Sequence, residues 1–336
     1  MSLLSKLTEY YQVAGTVKEI EIGNPSRRHS HVSFYFVDMI KTRLRFRLGA
    51  AEYLKLGIYR LSPDQRNQIV TRHDRDRIVR HYNDVSQMHR LNNKLTFLTD
   101  YASFTGRSFL AINDVTFEEF EKFMLTHKSI IAKHSDGGQG EGIKTYSLSD
   151  GQSNIEDIYH DIRVRNHDVV EELLVQHPSF APINKYGFPV VRVLTFLDEK
   201  SMVHILATTL TVAVNDVVVN LHRGGIYLNI DGESGKVSSL GIDEQDNIYE
   251  YHPLTKEKFV GFQIPLWEAL LELVQAASKI TPEVRYVGWD VGVSPTGPVL
   301  IEANVINPGI VAIQHPVITG GSLIGEKFRG ILAGLP

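Results

Sequence analysis

No cysteine occurs anywhere in the 336 residues. Its absence excludes disulfides, thiolate-ligated zinc, iron–sulfur centres and a cysteine nucleophile. It suits a reducing compartment, and a cytoplasmic location is the expectation. No run of about 18 apolar residues exists, so no membrane span is expected. The stretch Met1 to Gly15 has neither the basic start nor the apolar core of a signal peptide. Repeats and low-complexity segments are absent too. The formal charge is only −4, which argues against nucleic acid as a partner. What is present is an ordinary globular composition, 43% hydrophobic and 22% charged, able to bury a core without staples. At roughly 150 residues per domain, this length suggests about two domains, or one with lobes.

The first 30 residues carry no clear pattern. From Val32 to Leu56, apolar residues at Phe36, Ile40, Leu44, Leu48 and Tyr53 predict one long helix, ended by Gly57. Ser62-Pro63-Asp64 reads as a helix cap with proline at the first helical position. Gln65 to Asn83 is rich in Arg, Asp and His, and the simplest reading is a solvated helix face. Leu91 to Gly106 and Phe117 to Met124 have helical spacing. After Lys128 the period changes to that of strands: Ser129–Lys133, Gly142–Leu148, Val169–Gln176, Val190–Leu197, Met202–Leu210 and Asp216–Leu221. Helices are expected over Ile155–His160 or slightly further and over Leu266–Ser278. A last strand pair is expected at Val284–Val293 and Pro298–Val305. The class is α+β with a helical N-terminus.

That last pair carries the strongest local signal. Alternation places Gly288, Asp290 and Gly292 on one face of its first strand, with Val287, Trp289 and Val291 on the other. In the second strand it groups Leu300, Glu302 and Asn304. Ser294-Pro295-Thr296-Gly297 is a turn. Pairing about Thr296 sets Asp290 opposite Glu302, about 5 Å apart at Cβ. Two carboxylates there repel unless a cation lies between them. Magnesium takes oxygen ligands and binds phosphates at the same time, and Asn304 adds a neutral oxygen. Gly288 and Gly292 are expected to leave room for a ligand. The plainer alternative is an exposed acidic patch, and a one-residue slip would undo the geometry.

A second signal is the glycine run Asp136-Gly137-Gly138-Gln139-Gly140-Glu141-Gly142. It lacks the Gly-Lys-Ser/Thr ending of a P-loop, and it joins two strands rather than opening a helix. A hairpin loop whose N–H groups cover phosphates remains, with Lys133 at its start as a point cation. A surface loop beside a surface lysine is the competing reading.

Lys133 with this loop, the strand Val169-Val170-Glu171-Glu172-Leu173-Leu174, and Asp290…Glu302-Ala303-Asn304, in this order, resemble the signature of the ATP-grasp superfamily. More narrowly, several phrases are similar to the sugar-transfer-associated ATP-grasp family. They are Glu171-Glu172-Leu173-Leu174-Val175-Gln176-His177-Pro178, Arg192 within VVRVLTF, Gly224-Gly225 followed by Asn229-Ile230-Asp231, and Gly288-Trp289-Asp290. The resemblance spans about Asn83 to Gly325. It implies two α+β lobes holding ATP between them. The implied division is a helical segment 1–85, pre-grasp helices 86–125, a small lobe 126–175 and a large lobe 176–336. It also implies roles. Lys94 and Lys133 would contact the α- and β-phosphates, and Gly137, Gly138 and Gly140 would fold over the triphosphate. Glu171, Glu172 and the backbone at Leu174 would hold adenine and ribose. Asp290, Glu302 and Asn304 would hold one or two Mg²⁺ ions, with Mn²⁺ as a substitute. Related ligases carry an arginine two residues before the metal aspartate. Gly288 stands there, and Arg192 and Arg223 are the candidate replacements.

The implied activity is ATP-dependent ligation of a carboxylate to an amine through an acyl phosphate, with no protein nucleophile. Both partners are small molecules. Phosphoryl transfer to a hydroxyl, with His222 or Glu141 as base, stays open, as does an ATP-binding module without chemistry. A homodimer is also left open.

Overall fold

The computed structural model describes residues 3–21, 31–136, 142–148, 154–185, 187–214, 225–309, 312–319 and 324–335. The chain forms two compact units, Met1–His81 with Gly309–Pro336, and Tyr82–Pro308.

The first unit is helical. Leu3–Glu21, which the sequence left without a pattern, is one helix. It packs Tyr10, Ala14 and Val17 against Tyr35, Met39, Tyr53 and Tyr59. The long helix expected from Val32 to Leu56 is instead two, Val32–Phe46 and Ala50–Lys55. Arg47 takes the left-handed conformation, φ 58°, and its N–H donates to the Arg43 carbonyl at 2.9 Å. The chain restarts at Gly49, whose N–H donates to the Glu52 carboxylate at 3.1 Å. The apolar spacing runs through this break and hides it. Ser62 does cap Pro63–Arg66, with Gln65 and Ser62 bonded reciprocally. Further on, Gln314 exchanges two hydrogen bonds with the backbone of Val70, at 2.9 and 2.7 Å. That contact ties the C-terminal residues of this unit to its N-terminal ones.

The second unit opens with helices. The single helix expected over Leu91–Gly106 is broken into Val85–Asn92, Lys94–Asp100 and Ala102–Thr105. Asn93 is extended, and its side chain accepts from Thr96 N–H at 3.1 Å. A side-chain cap of this kind ends one helix and starts the next. Among the described residues the strands are β1 (Phe109–Ala111), β2 (Ser129–Lys133), β3 (Lys144–Ser147), β4 (Val169–Glu172), β5 (Val190–Leu197), β6 (Val203–Val212), β7 (Ile226–Asn229), β8 (Gly241–Ile242), β9 (Ile248–Tyr249), β10 (Tyr286–Ser294) and β11 (Gly297–Asn304). The strand expected at 216–221 lies outside the described residues. Short β1, β8 and β9 have too few residues to show a period.

These strands form two antiparallel sheets, ordered β1-β4-β2-β3 and β11-β10-β5-β6-β7-β8-β9. One face of the smaller sheet (Ile130, Ala132 and Val170) packs on helices Phe117–His127 and Ile155–Val164. One face of the larger sheet (Val191, Val193, Leu210, Leu228 and Trp289) packs on helix Trp267–Ala277. Each sheet therefore buries the apolar half of its alternation and turns its polar half the other way. Those polar faces carry the candidate site.

Candidate active site

On the larger sheet, β10 and β11 form the expected hairpin, but not by simple alternation. From the turn, Ser294 pairs with Gly297 and Val291 with Leu300. A bulge then leaves Ile301 without a facing residue, and Asp290 pairs with Glu302. The bulge also corrects the expected grouping of Leu300 with Glu302. Leu300 belongs to the core with Ala303 and Val305, and only Glu302 and Asn304 face the site. The Asn304 amide donates to Asp290 at 3.2 Å and lies 3.5 Å from Glu302.

Directly across from Asp290 on the other side stands Arg192 of β5. Its guanidinium grips Asp290 through both Nε and Nη2, the latter at 2.8 Å, and Nη1 donates to the Pro308 carbonyl at 3.2 Å. The row continues through Thr209 to Asn229. Five polar side chains thus cross the sheet on one face: Glu302, Asp290, Arg192, Thr209 and Asn229.

Burial raises the Asp290 carboxyl to about 6; Arg192 opposes the shift and the Glu302 carboxylate adds to it. Burial works against the Arg192 charge, but Asp290 outweighs it and holds the guanidinium above its ordinary range. The ion pair therefore stays formed, while the two facing carboxylates leave a surplus of negative charge. A carboxylate offers about four acceptor positions, and the three bonds to Asp290 leave part of that capacity, with Glu302 nearly whole. This donor set fits a hard divalent cation. Among the described residues no group of three or more His, Asp or Glu is arranged to hold a metal; this centre has two carboxylates and an amide.

The two glycines do not leave ligand space. A Cβ at Gly288 would lie 2.5 Å from the Pro308 carbonyl oxygen, and one at Gly292 would overlap the Phe188 ring. Protein atoms fill both places. At Gly288 the filling carbonyl is the one that holds Arg192, so the missing side chain lets the chain bring Arg192 to Asp290.

On the smaller sheet, Lys133 and Glu171 point away from the helices and form a buried ion pair. The other carboxylate oxygen of Glu171 meets Arg107. Burial would raise the Glu171 carboxyl, but Lys133 and Arg107 outweigh it and hold it below its ordinary value. Lys94 sits at the start of helix Lys94–Asp100, and its N–H donates to the Ser135 carbonyl at 3.0 Å. Burial lowers its pKa, and the charge of Glu302 pulls the other way. Lys94 is thus electrostatically coupled to both the Lys133–Glu171 pair and the carboxylate pair. Asp168 holds the start of the glycine loop by accepting from Ser135 N and Oγ at 2.7 and 2.5 Å.

Residues 73–326 match the family described as sugar-transfer associated ATP-grasp. The chain belongs to that family. Its fold is accordingly the α+β ATP-grasp-like fold, with antiparallel sheets and a helical N-terminal region. No curated protein matches the chain. Similar solved structures include D-cycloserine synthetase DcsG, at 11% identity and TM-score 0.46, matching 75% of this chain and 73% of that one. ATP-grasp ligase PsnB, solved with a phosphomimetic variant of its minimal precursor, Mg and ADP, is 15% identical with TM-score 0.43, over 75% and 61%. D-alanyl-alanine synthetase A from Vibrio cholerae O1 biovar eltor str. N16961 is 14% identical with TM-score 0.43, over 73% and 65%. The chain spans less than two thirds of the length of the latter two.

In this ATP-grasp chain, Asp290, Glu302, Asn304 and Arg192 converge in one centre, and Lys133 and Glu171 in another. Glu172 does not join them. Its carboxylate accepts from Ser108 N–H at 3.2 Å and lies 3.5 Å from His127. Strand β4 ends at Glu172, shorter than expected, so Leu174 follows the strand. Gly137, Gly138, Gly140 and Arg223, with Glu141 and His222, lie outside the described residues. Sequence reading missed Arg107, Asp168 and Thr209. Asp168 carried a faint signal, an acid just before a strand, but Arg107 carried none. No helix among the described residues is long and apolar enough to cross a membrane.

Proposed function

We propose that this protein is an ATP-dependent carboxylate–amine ligase, working through an acyl phosphate in the assembly of a polysaccharide or natural product. The observation that carries this reading is the pairing of Asp290 with Glu302 beside Arg192. It sets a carboxylate pair and a guanidinium on one face of one sheet.

In this reading Lys94 and Lys133 bind the α- and β-phosphates, with Gly137, Gly138 and Gly140 covering the triphosphate. Glu171 and the Leu174 backbone border the nucleoside. Asp290, Glu302 and Asn304 would hold a magnesium ion, which would supply charge neutralisation at the phosphates. A substrate carboxylate oxygen attacks the γ-phosphorus. The bond to the β–γ bridging oxygen breaks, and ADP leaves with that electron pair. Arg192, with Arg223, offsets charge on the transferring group. The amine nitrogen then attacks the acyl carbon and loses a proton, and phosphate leaves as the acyl C–O bond breaks. Both steps rest on positioning and electrostatics.

The test is ADP release from pooled carboxylates and amines, with hydroxylamine present to trap acyl phosphates. ADP release that needs a carboxylate, with hydroxamate formed, supports the ligase. A stable phosphorylated alcohol would replace it with a kinase. ATP binding without turnover across the pools would leave a binding module.

A further inference from the structure

Arg107 belongs to none of the motifs above, yet its side chain is only 2% exposed. A buried guanidinium needs partners for its donors, and this one has partners on both sheets. Nη1 donates to the carbonyls of Leu300 at 2.6 Å and Thr105 at 3.1 Å, and Nη2 to that of Ile301 at 3.0 Å. Nε meets Glu171, whose other oxygen holds Lys133.

The carbonyls it takes are those of the β11 bulge. Ile301 faces no residue on β10, and a bulged residue leaves the ladder locally unmade. If the register of Val291 with Leu300 simply continued, Asp290 would pair with Ile301 and Glu302 with Trp289. A one-residue slip turns each side chain to the opposite face. Glu302 would then point into the apolar core around Trp289. Orientation of Glu302 toward Asp290 therefore depends on the bulge, and the Arg107 side chain bonds its carbonyls.

We propose that Arg107 is a positioning residue for the metal centre. It locks the bulge that aims Glu302 at Asp290 and ties that bulge, through Glu171, to the phosphate-binding lysine. Ordering of the Lys133–Glu171 pair and readiness of the carboxylate pair are thereby linked through one guanidinium. This role rests on the nucleotide-and-metal reading of the site.

The experiment titrates Mg²⁺ at fixed ADP and follows ADP binding by calorimetry, for wild type, Arg107→Ala, Arg107→Lys and Arg285→Lys. Arg285 is a comparison arginine, donating to the Leu197 carbonyl at 2.6 Å and stacked on Tyr82 and Phe196. Partners behind metal ligands typically contribute 10- to 100-fold to metal affinity, so Arg107→Ala should raise the Mg²⁺ midpoint by about that factor. Millimolar guanidinium should restore part of the loss. Arg107→Lys, which cannot reach all four acceptors, should show a smaller shift of at least about threefold. Arg285→Lys should lower Tm and leave the midpoint alone. A wild-type midpoint in a folded Arg107→Ala would overturn the proposal, and so would an equal shift in Arg285→Lys. If Arg107→Ala does not fold, an unshifted Arg107→Lys overturns it. Wild-type protein that binds no ADP at any Mg²⁺ concentration removes the nucleotide reading itself, a result distinct from loss of the Arg107 role.

Discussion

Two buried carboxylates organise this site, and their surroundings push them in opposite directions. Glu171 on the smaller sheet lies between two cations, Lys133 and Arg107. Asp290 on the larger sheet lies between one cation, Arg192, and a second carboxylate, Glu302. The first is held below its ordinary pKa and the second is raised to about 6. Burial raises both; two cations outweigh it at Glu171, whereas at Asp290 the single cation, opposed by Glu302, does not. A centre with surplus positive charge suits phosphate, and one with surplus negative charge suits a cation. Mg·ATP carries both kinds of group.

The strongest way to break this contrast is at the anionic centre. Glu302→Gln keeps the shape but removes the surplus charge. Turnover should fall on the order of 10²–10³ or more, as for other groups that stabilise transferring charge. Near-normal ADP release in this variant would end the metal assignment. At the cationic centre, Lys133→Ala leaves Arg107 to hold Glu171. A charge-assisted hydrogen bond contributes about 1.5–3 kcal/mol, so ADP should bind roughly 10- to 100-fold more weakly. Unchanged binding would mean that Lys133 serves only Glu171.

Gly288→Ala tests how Arg192 is held. The new Cβ would displace the Pro308 carbonyl, and overpacking of this kind costs about 1–3 kcal/mol. A lower denaturant midpoint together with slower turnover is expected. A stable, fully active variant would show that Arg192 does not need that carbonyl. The smallest effect concerns pH. Asp290 has a folded pKa above its ordinary value, so without metal its contribution to stability is present at low pH and is lost as pH rises through about 6. Mg²⁺ takes the ionised form. The Mg²⁺-induced rise in Tm should therefore be larger at about pH 7.5 than at about pH 5. Equal rises would show that Asp290 is already ionised before the metal arrives.

A strand of each sheet and the helix behind the larger one were legible. Ser129–Lys133 and Val190–Leu197 are found with the expected bounds, and Leu266–Ser278 differs from the helix Trp267–Ala277 by one residue at each end. Strong periodicity in buried segments gives such agreement. The helices over 32–56 and 91–106 were read as too long, because apolar spacing continues across Arg47 and Asn93 while the backbone does not. The fourfold convergence of Asp290, Glu302, Asn304 and Arg192 was half legible. The hairpin is local, but the partner strand of β10 lies about a hundred residues earlier in the chain.

The sequence by itself determined that two carboxylates and an amide would sit near a tight hairpin, behind a lysine and a glycine-rich loop. These are local facts, set by alternation and turn chemistry. Tertiary structure alone decided what neutralises each carboxylate. Arg192 reaches Asp290 only because β5 pairs with β10. Arg107 reaches the bulge carbonyls of Leu300 and Ile301 from 193 and 194 residues away. Backbone carbonyls have no signature in side-chain pattern, and an ion pair's sign and strength depend on burial and neighbours that exist only once the sheets have formed.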